Sequence, residues 1–142
     1  MIAYLDTSAF VPLIVHEPGT AACREVWELA DEVVSSRLLY VETAAALAQA
    51  HRLGRLTARR HTVALASLDR LWEAMEVVEI DADLVHRAAT LAFEQGLRGN
   101  DAVHCASAER VADPELVVAA GDKRLLAALS AVGLDTIDVA GP

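Results

Sequence analysis

The chain has 142 residues, of which 54% are hydrophobic and 4% aromatic, and its formal net charge at pH 7 is −9. This length suits one domain, residues 1–142, with a core filled by alanine, valine and leucine. The excess of acidic over basic residues excludes a broad basic surface that binds nucleic acid, but it does not exclude a local site where metal ions supply positive charge. The sequence lacks a membrane-length apolar run and a secretion signal, so we expect a cytoplasmic protein.

Short apolar strands alternate with helices. A strand over residues 2–6 ends in Asp6, and Thr7 and Ser8 offer an N-cap for a helix reaching about residue 15. Next come a helix over 20–30, a strand over 33–36, helices over 38–53 and 57–75, and a strand over 77–80. The second half contains a helix over 82–95, a helix that begins after Gly99 and stops at Asp113-Pro114, a strand over 116–120, a helix over 123–132 and a strand over 136–139. This pattern predicts an α/β fold: a single three-layer α/β/α domain whose central, mainly parallel sheet has about five short strands.

Acidic residues fall where these strands end. Asp6 ends the first strand, Asp122 directly follows the fourth, and Glu42 lies early in the helix after the second. The ends of parallel strands share one edge of the sheet, so we expect these carboxylates to converge there. Asp101 joins them if its helix begins at the same edge, which periodicity alone does not require. Taken singly, each acid could be a helix cap, a dipole partner or an exposed residue.

Four carboxylates without interleaved lysines need a compensating cation. An all-oxygen acidic site suits Mg²⁺, with Mn²⁺ as a substitute, and such ions are suited to phosphoryl chemistry. We expect Asp6 and Asp101 to be the principal ligands. Glu42 and Asp122 are expected to bind a second ion or to orient the waters around the first.

Three further side chains lie near the predicted site. Thr7 and Ser8 follow Asp6 and could supply supporting hydroxyl groups, although plain N-capping is the simpler role for Ser8. His104 lies on the same helical face as Asp101. We interpret it as a hydrogen-bonded core histidine rather than a metal ligand.

Several of these segments resemble PIN-domain ribonucleases, and among them the VapC toxins of type II toxin–antitoxin systems. The resemblance rests on Leu5-Asp6-Thr7-Ser8, on Glu42, on Leu97-Arg98-x-x-Asp101-Ala102-Val103-His104 and on Gly121-Asp122-x-x-Leu125, and it extends from residue 2 to about residue 139. It implies Mg²⁺-dependent endonucleolytic cleavage of RNA, with a catalytic quartet of Asp6, Glu42, Asp101 and Asp122. One departure is Ala120, because the family often has a threonine two positions before the last acid.

The resemblance also implies partners. It implies a homodimer, held inactive by a small cognate antitoxin whose basic tail enters the acidic groove. The negative net charge suits such a partner, because it would steer a cationic inhibitor toward the chain. A larger toxin–antitoxin assembly would follow from the same partners.

The basic residues form two groups. Arg98, Lys123 and Arg124 lie next to the acids and are candidates for RNA contacts. Four of the twelve basic residues surround one helix–turn–helix: Arg52, Arg55, Arg59 and Arg60. The sequence leaves open whether this second group contacts RNA, the antitoxin or only solvent.

Two other classes of function stay open at this point. The chain could be a catalytically silent PIN-like module that binds a partner without cutting RNA. An aspartyl-phosphate phosphotransfer domain fits less well. A receiver domain has two neighbouring acidic residues at the end of its first strand, where this chain has Leu5 and Asp6. A phosphatase that forms an aspartyl-phosphate has a second aspartate two positions after the first, where this chain has Ser8.

Overall fold

A five-stranded sheet forms the centre of the molecule in a computed structural model that describes residues 1–141. Its strands are β1 (Ile2–Leu5), β2 (Glu32–Ser36), β3 (Glu76–Val78), β4 (Leu116–Ala120) and β5 (Asp135–Asp138). They are ordered β3-β2-β1-β4-β5, and every neighbouring pair is parallel. The central strand β1 is buried on both faces, as its uninterrupted apolar sequence requires. The predicted α/β architecture with a parallel sheet is confirmed.

Helices cover both faces of this sheet. Within the described residues they are α1 (Thr7–Phe10), α2 (Thr20–Leu29), α3 (Leu38–Arg52), α4 (Ala58–Glu73), α5 (Ala82–Gln95), α6 (Gly99–Arg110) and α7 (Lys123–Ala131). The first four helices share a core with Ala3 and Leu5 of β1, and the last three share another core with Tyr4. Successive side chains of a strand point to opposite faces, so β1 contributes to both cores and the molecule has three layers.

The predicted boundaries hold to within about two residues except at α1. This helix was expected to reach about residue 15, but it ends at Phe10 and continues as a 3-10 turn over Val11–Leu13. Pro12 has no N–H to donate back to the preceding turn, which explains the early end. Asp6, rather than Thr7 or Ser8, is the N-cap residue of α1, because its side chain accepts a hydrogen bond from the Ser8 backbone N–H.

Helix α6 carries two of the site residues into the interior. Helix α5 ends at Gly96, which adopts the left-handed conformation with φ of 64°, and α6 begins three residues later. Most of α6 is buried, and the buried positions are mainly small residues that allow close packing against its neighbours. Asp101, His104 and Ser107 are its buried polar residues, so each needs partners inside the fold.

Candidate active site

Asp6 anchors the site at the end of β1. One of its carboxylate oxygens, Oδ2, accepts hydrogen bonds from the backbone N–H of Ser8 at 3.2 Å and from the Ser8 hydroxyl at 2.5 Å. The Ser8 hydroxyl in turn accepts a hydrogen bond from the Gly121 N–H at 2.8 Å. Ser8 therefore joins the ends of β1 and β4. Its hydroxyl makes the supporting contact with Asp6, whereas the N-cap role that the sequence offered for Ser8 belongs to Asp6.

Glu42 on α3 is held by three donors. The Thr7 hydroxyl and His104 Nε2 donate to its Oε1 at 2.8 Å and 2.6 Å, and Asn100 donates to its Oε2 at 3.0 Å. Burial alone would raise the pKa of Glu42, but these hydrogen bonds and the charge of His104 outweigh it and lower the pKa to about 2. Glu42 is therefore ionised at neutral pH.

His104 connects this carboxylate to the core. Its side chain is 1% exposed, its Nδ1 lies 2.8 Å from the Tyr4 hydroxyl, and its Nε2 lies 3.6 Å from Asp6 Oδ1. Burial would lower the pKa of His104, but the bond to Glu42 and the charges of nearby carboxylates raise it overall. The interpretation as a hydrogen-bonded core histidine agrees with this environment. His104 is also the centre of the network that holds Glu42.

Asp101 and Asp122 form the other half of the site, and Arg98 connects them. The Arg98 Nε donates to Asp101 Oδ2 at 3.1 Å, and its terminal nitrogen lies 3.8 Å from Asp122 Oδ2. Burial raises the pKa of Asp101, and the charges of Asp6 and Asp122 act in the same direction against the opposing effect of Arg98. Burial therefore disfavours the ionised form of Asp101, which a further cation would stabilise.

Asp122 has a second role, because it caps α7. Its Oδ1 accepts hydrogen bonds from the backbone N–H groups of Arg124 and Leu125, at 2.9 Å and 3.0 Å. The side chains of Lys123 and Arg124 are exposed beside it. Ala120, where the family often has threonine, is completely buried, so no hydroxyl group is available at that position.

The structure adds two groups that the sequence analysis did not place in the site. Asn100 donates to Glu42, and nothing but its position next to Asp101 signalled that role. Arg98 was expected only to contact RNA, but its guanidinium group forms an ion pair with Asp101. The expectation that divalent ions, rather than arginines or lysines, would neutralise the acids is therefore corrected, because Arg98 already provides positive charge next to Asp101.

The donor set fits Mg²⁺ in chemistry. Asp6 and Asp101 are each only 6% exposed, and hard carboxylate oxygens are the ligands that this ion prefers. Within residues 1–141, however, no three potential ligand side chains stand close enough together to form a ready-made metal cluster. Arg98 occupies one side of Asp101, but its own side chain is 70% exposed and can withdraw toward solvent. The chemistry of these oxygen donors therefore fits a divalent ion, with which Arg98 would compete for Asp101.

Comparisons with known proteins agree with this fold. A family model described as the PIN domain matches residues 3–130. Ribonuclease VapC45 of Mycobacterium tuberculosis (strain CDC 1551 / Oshkosh) is 42% identical over 132 residues, which cover 93% of this chain and 92% of that protein. The crystal structure of PAE2754 from Pyrobaculum aerophilum has a TM-score of 0.69 at 26% identity, over 99% of this chain and 93% of that one. A toxin–antitoxin complex from Klebsiella pneumoniae has a TM-score of 0.66 at 17% identity, over 99% of both chains, and shares the fold.

The parallel sheet and the acidic residues at its edge define the class of protein as a PIN domain. The family match covers most of the sequence, and the similarity to VapC45 extends over nearly all of it. The chain belongs to the VapC group of the PIN domain family. The resemblance inferred from the sequence motifs is confirmed, and a phosphotransfer domain is no longer a competing interpretation.

Proposed function

We propose that this chain is a Mg²⁺-dependent endoribonuclease and the toxin component of a type II toxin–antitoxin system. The observation that supports the proposal is two pairs of carboxylates at one edge of a PIN-domain sheet, one pair joined by His104 and the other by Arg98. VapC45, at 42% identity, is named a ribonuclease. The site residues are the quartet predicted from the sequence: Asp6, Glu42, Asp101 and Asp122.

Each acidic side chain has a role that follows from its contacts. Mg²⁺, when bound, polarises a phosphate and lowers the pKa of water at the site. Asp6 and Asp101 would hold the ion, because both are nearly buried and neither is enclosed by as many donors as Glu42. Glu42 and Asp122, which are fixed by neighbouring groups, would orient surrounding water or hold a second ion. Thr7 and Ser8 support Glu42 and Asp6 through their hydroxyl groups.

Three basic residues beside the quartet are proposed to contact RNA. Lys123 and Arg124 are exposed at the start of α7, next to Asp122. Arg98 reaches the same place from the start of α6. Once released from Asp101, its guanidinium would lie close enough to the site to bind a phosphate of the strand.

Arg98 and a divalent ion compete for Asp101. We therefore expect Arg98→Gln to raise the affinity for Mn²⁺ about fivefold, because removing the guanidinium removes about 1 kcal/mol of Coulomb repulsion. Titration calorimetry at fixed ionic strength measures this without relying on RNA cleavage. Arg124→Gln is the matched control, since it removes the same charge from an exposed residue that has no ion pair within residues 1–141. A lower affinity in Arg98→Gln would mean that Arg98 helps to assemble the ion site instead.

The proposal includes the partners of the toxin class. We infer a cognate antitoxin whose basic tail neutralises the carboxylates, and a homodimer that could join a larger assembly with it. Exposed apolar side chains on α5, Val85 and Phe93, support an interface with a second copy.

No helix in the described part of the chain is long and apolar enough to cross a membrane, and both cysteines are free and buried. We propose a cytoplasmic location.

RNA cleavage by the antitoxin-free chain tests the function. We expect cleavage in Mg²⁺ or Mn²⁺, its loss in EDTA, and its return when excess Mg²⁺ is added. The measurement is the rate of product formation from an end-labelled single-stranded RNA, with circular dichroism as a check that EDTA leaves the fold intact. A folded chain that binds RNA or antitoxin but cuts nothing with either ion would identify the silent binding module and reject the enzyme.

A further inference from the structure

A basic groove opens beside the turn between α3 and α4. It has a volume of about 640 Å³, and Arg55, Arg59 and Arg60 line it together with apolar side chains such as Val15 and Val63. No carboxylate lines it among the described residues. The chain carries 21 acidic residues against 12 lysines and arginines, so a groove with three arginines and no acid stands apart from the rest of the surface.

The arginines of this region are also unpaired. Within residues 1–141, no carboxylate lies within ion-pair distance of Arg52, Arg55, Arg59 or Arg60, and all four are exposed. Four of the seven other arginines of the chain have acidic partners: Arg37, Arg87, Arg98 and Arg110. The groove therefore holds positive charge that the folded chain itself does not compensate.

The position of the charge on α4 points to an anion. Arg59 and Arg60 lie in the first turn of this 16-residue helix, after the Thr57 cap. The N-terminus of a helix is the positive end of its dipole, which favours anions and disfavours cations. In the isolated protein these two cationic side chains therefore lie at the end of the helix where positive charge is least favourable. A bound anion would offset the repulsion between their charges and the helix dipole.

Two neighbouring cavities lie between the groove and the site. One of about 210 Å³ shares Arg55 with the groove, and the other, of about 520 Å³, shares Val11 and Glu17 with the first and is lined by Ser8. Ser8 is hydrogen-bonded to Asp6. Glu17 is the one carboxylate along this path within the described residues. A single chain-like ligand could therefore run from the arginines to the site.

We propose that the groove defined by Arg55, Arg59 and Arg60 is a second RNA contact, which holds phosphates of the strand away from the point of cleavage. This inference rests on the proposed function. The planar guanidinium group binds phosphate oxygens in pairs, and phosphates recur along a strand so that several arginines can engage in turn. RNA is favoured over an acidic polypeptide because the path leads to the carboxylates where a strand would be cut.

Binding by fluorescence anisotropy tests the proposal on the full chain carrying Asp101→Asn, which prevents cleavage. Arg55→Gln with Arg60→Gln should weaken binding of a single-stranded RNA of about 20 nucleotides roughly tenfold, and weaken an RNA of about four nucleotides much less. The slope of log affinity against log salt should fall by about 1.4, or about 0.7 for each lost phosphate contact. Arg24→Gln with Arg70→Gln is the control, because it removes the same charge from exposed arginines outside the groove.

The outcomes distinguish a failure of this inference from a failure of the proposed function. Equal weakening by the two double variants, or none by either, would overturn the groove as an RNA contact while leaving the enzyme intact. If Arg55→Gln with Arg60→Gln abolishes binding of a poly-glutamate peptide but leaves RNA binding unchanged, the groove holds an acidic polypeptide and the proposal is wrong. A wild-type chain that neither binds nor cuts RNA would overturn the proposed function and this inference together.

Discussion

Asp101→Asn is expected to reduce RNA cleavage by more than about 100-fold, because loss even of groups that merely support metal ligands costs 10- to 100-fold. Asparagine has the same shape but lacks the charge that a divalent ion requires. The stability of the folded chain should not fall in this variant. The pKa of Asp101 is raised by burial, so its ionised form is unfavourable in the fold, and removing the charge should leave Tm unchanged or higher.

This pairing of lost activity with retained stability distinguishes a functional carboxylate from a structural one. The measurements are the rate of RNA cleavage in saturating Mg²⁺ and thermal unfolding by circular dichroism. Asp83→Asn is the control, since Asp83 is an exposed acid in the first turn of α5 and should affect neither quantity strongly. If Asp101→Asn cuts RNA as fast as the wild type, Asp101 is not a ligand. If it unfolds, the carboxylate is structural.

The fold was predictable because its signals are local. Strand β4 has the predicted bounds because its apolar run lies between turn residues. Helix α5 has the predicted bounds because Asp81 caps its N-terminus and Gly96 caps its C-terminus. The sheet edge followed from the rule for parallel strands. The end of α1 was missed, because the effect of Pro12 on a helix of so few residues depends on packing as well as on the missing N–H.

The strand order supports the predicted convergence of the acids, but their ionic partners were not predicted from the sequence. The strand order brings Asp6 and Asp122 together, since β1 and β4 are neighbours and Ser8 bridges their ends. The pairing of Arg98 with Asp101 has the (i, i+3) spacing of a helical ion pair, which could have indicated it. The donation from Asn100 to Glu42 joins residues far apart in the sequence and depends on side-chain rotamers, which the sequence does not fix. Their roles in catalysis stay a prediction.

His104→Leu is expected to destabilise the chain by about 3 kcal/mol, because removing one partner of a buried ion pair leaves the other charge uncompensated. His104 and Glu42 are 1% and 19% exposed, and their bond is 2.6 Å long. For a chain of this size the loss corresponds to a fall in Tm of about 10 °C. Urea unfolding measures it, and Glu42→Gln in the His104→Leu background should recover part of the loss by removing the stranded charge.

The pH dependence of this loss separates charge from packing. The pKa of Glu42 falls from its ordinary 4.5 to about 2, so its stabilising contribution is present above pH 4.5 and is lost as pH falls toward 2. The pKa of His104 is raised above 6.5, so its contribution is full below pH 6.5 and is lost as pH rises through the folded-state pKa. The difference in unfolding free energy between wild type and His104→Leu should therefore be largest between pH 4.5 and 6.5. A difference that stays constant from acid to alkaline pH would mean that His104 only fills space beside Tyr4, and that Glu42 is held by Thr7 and Asn100.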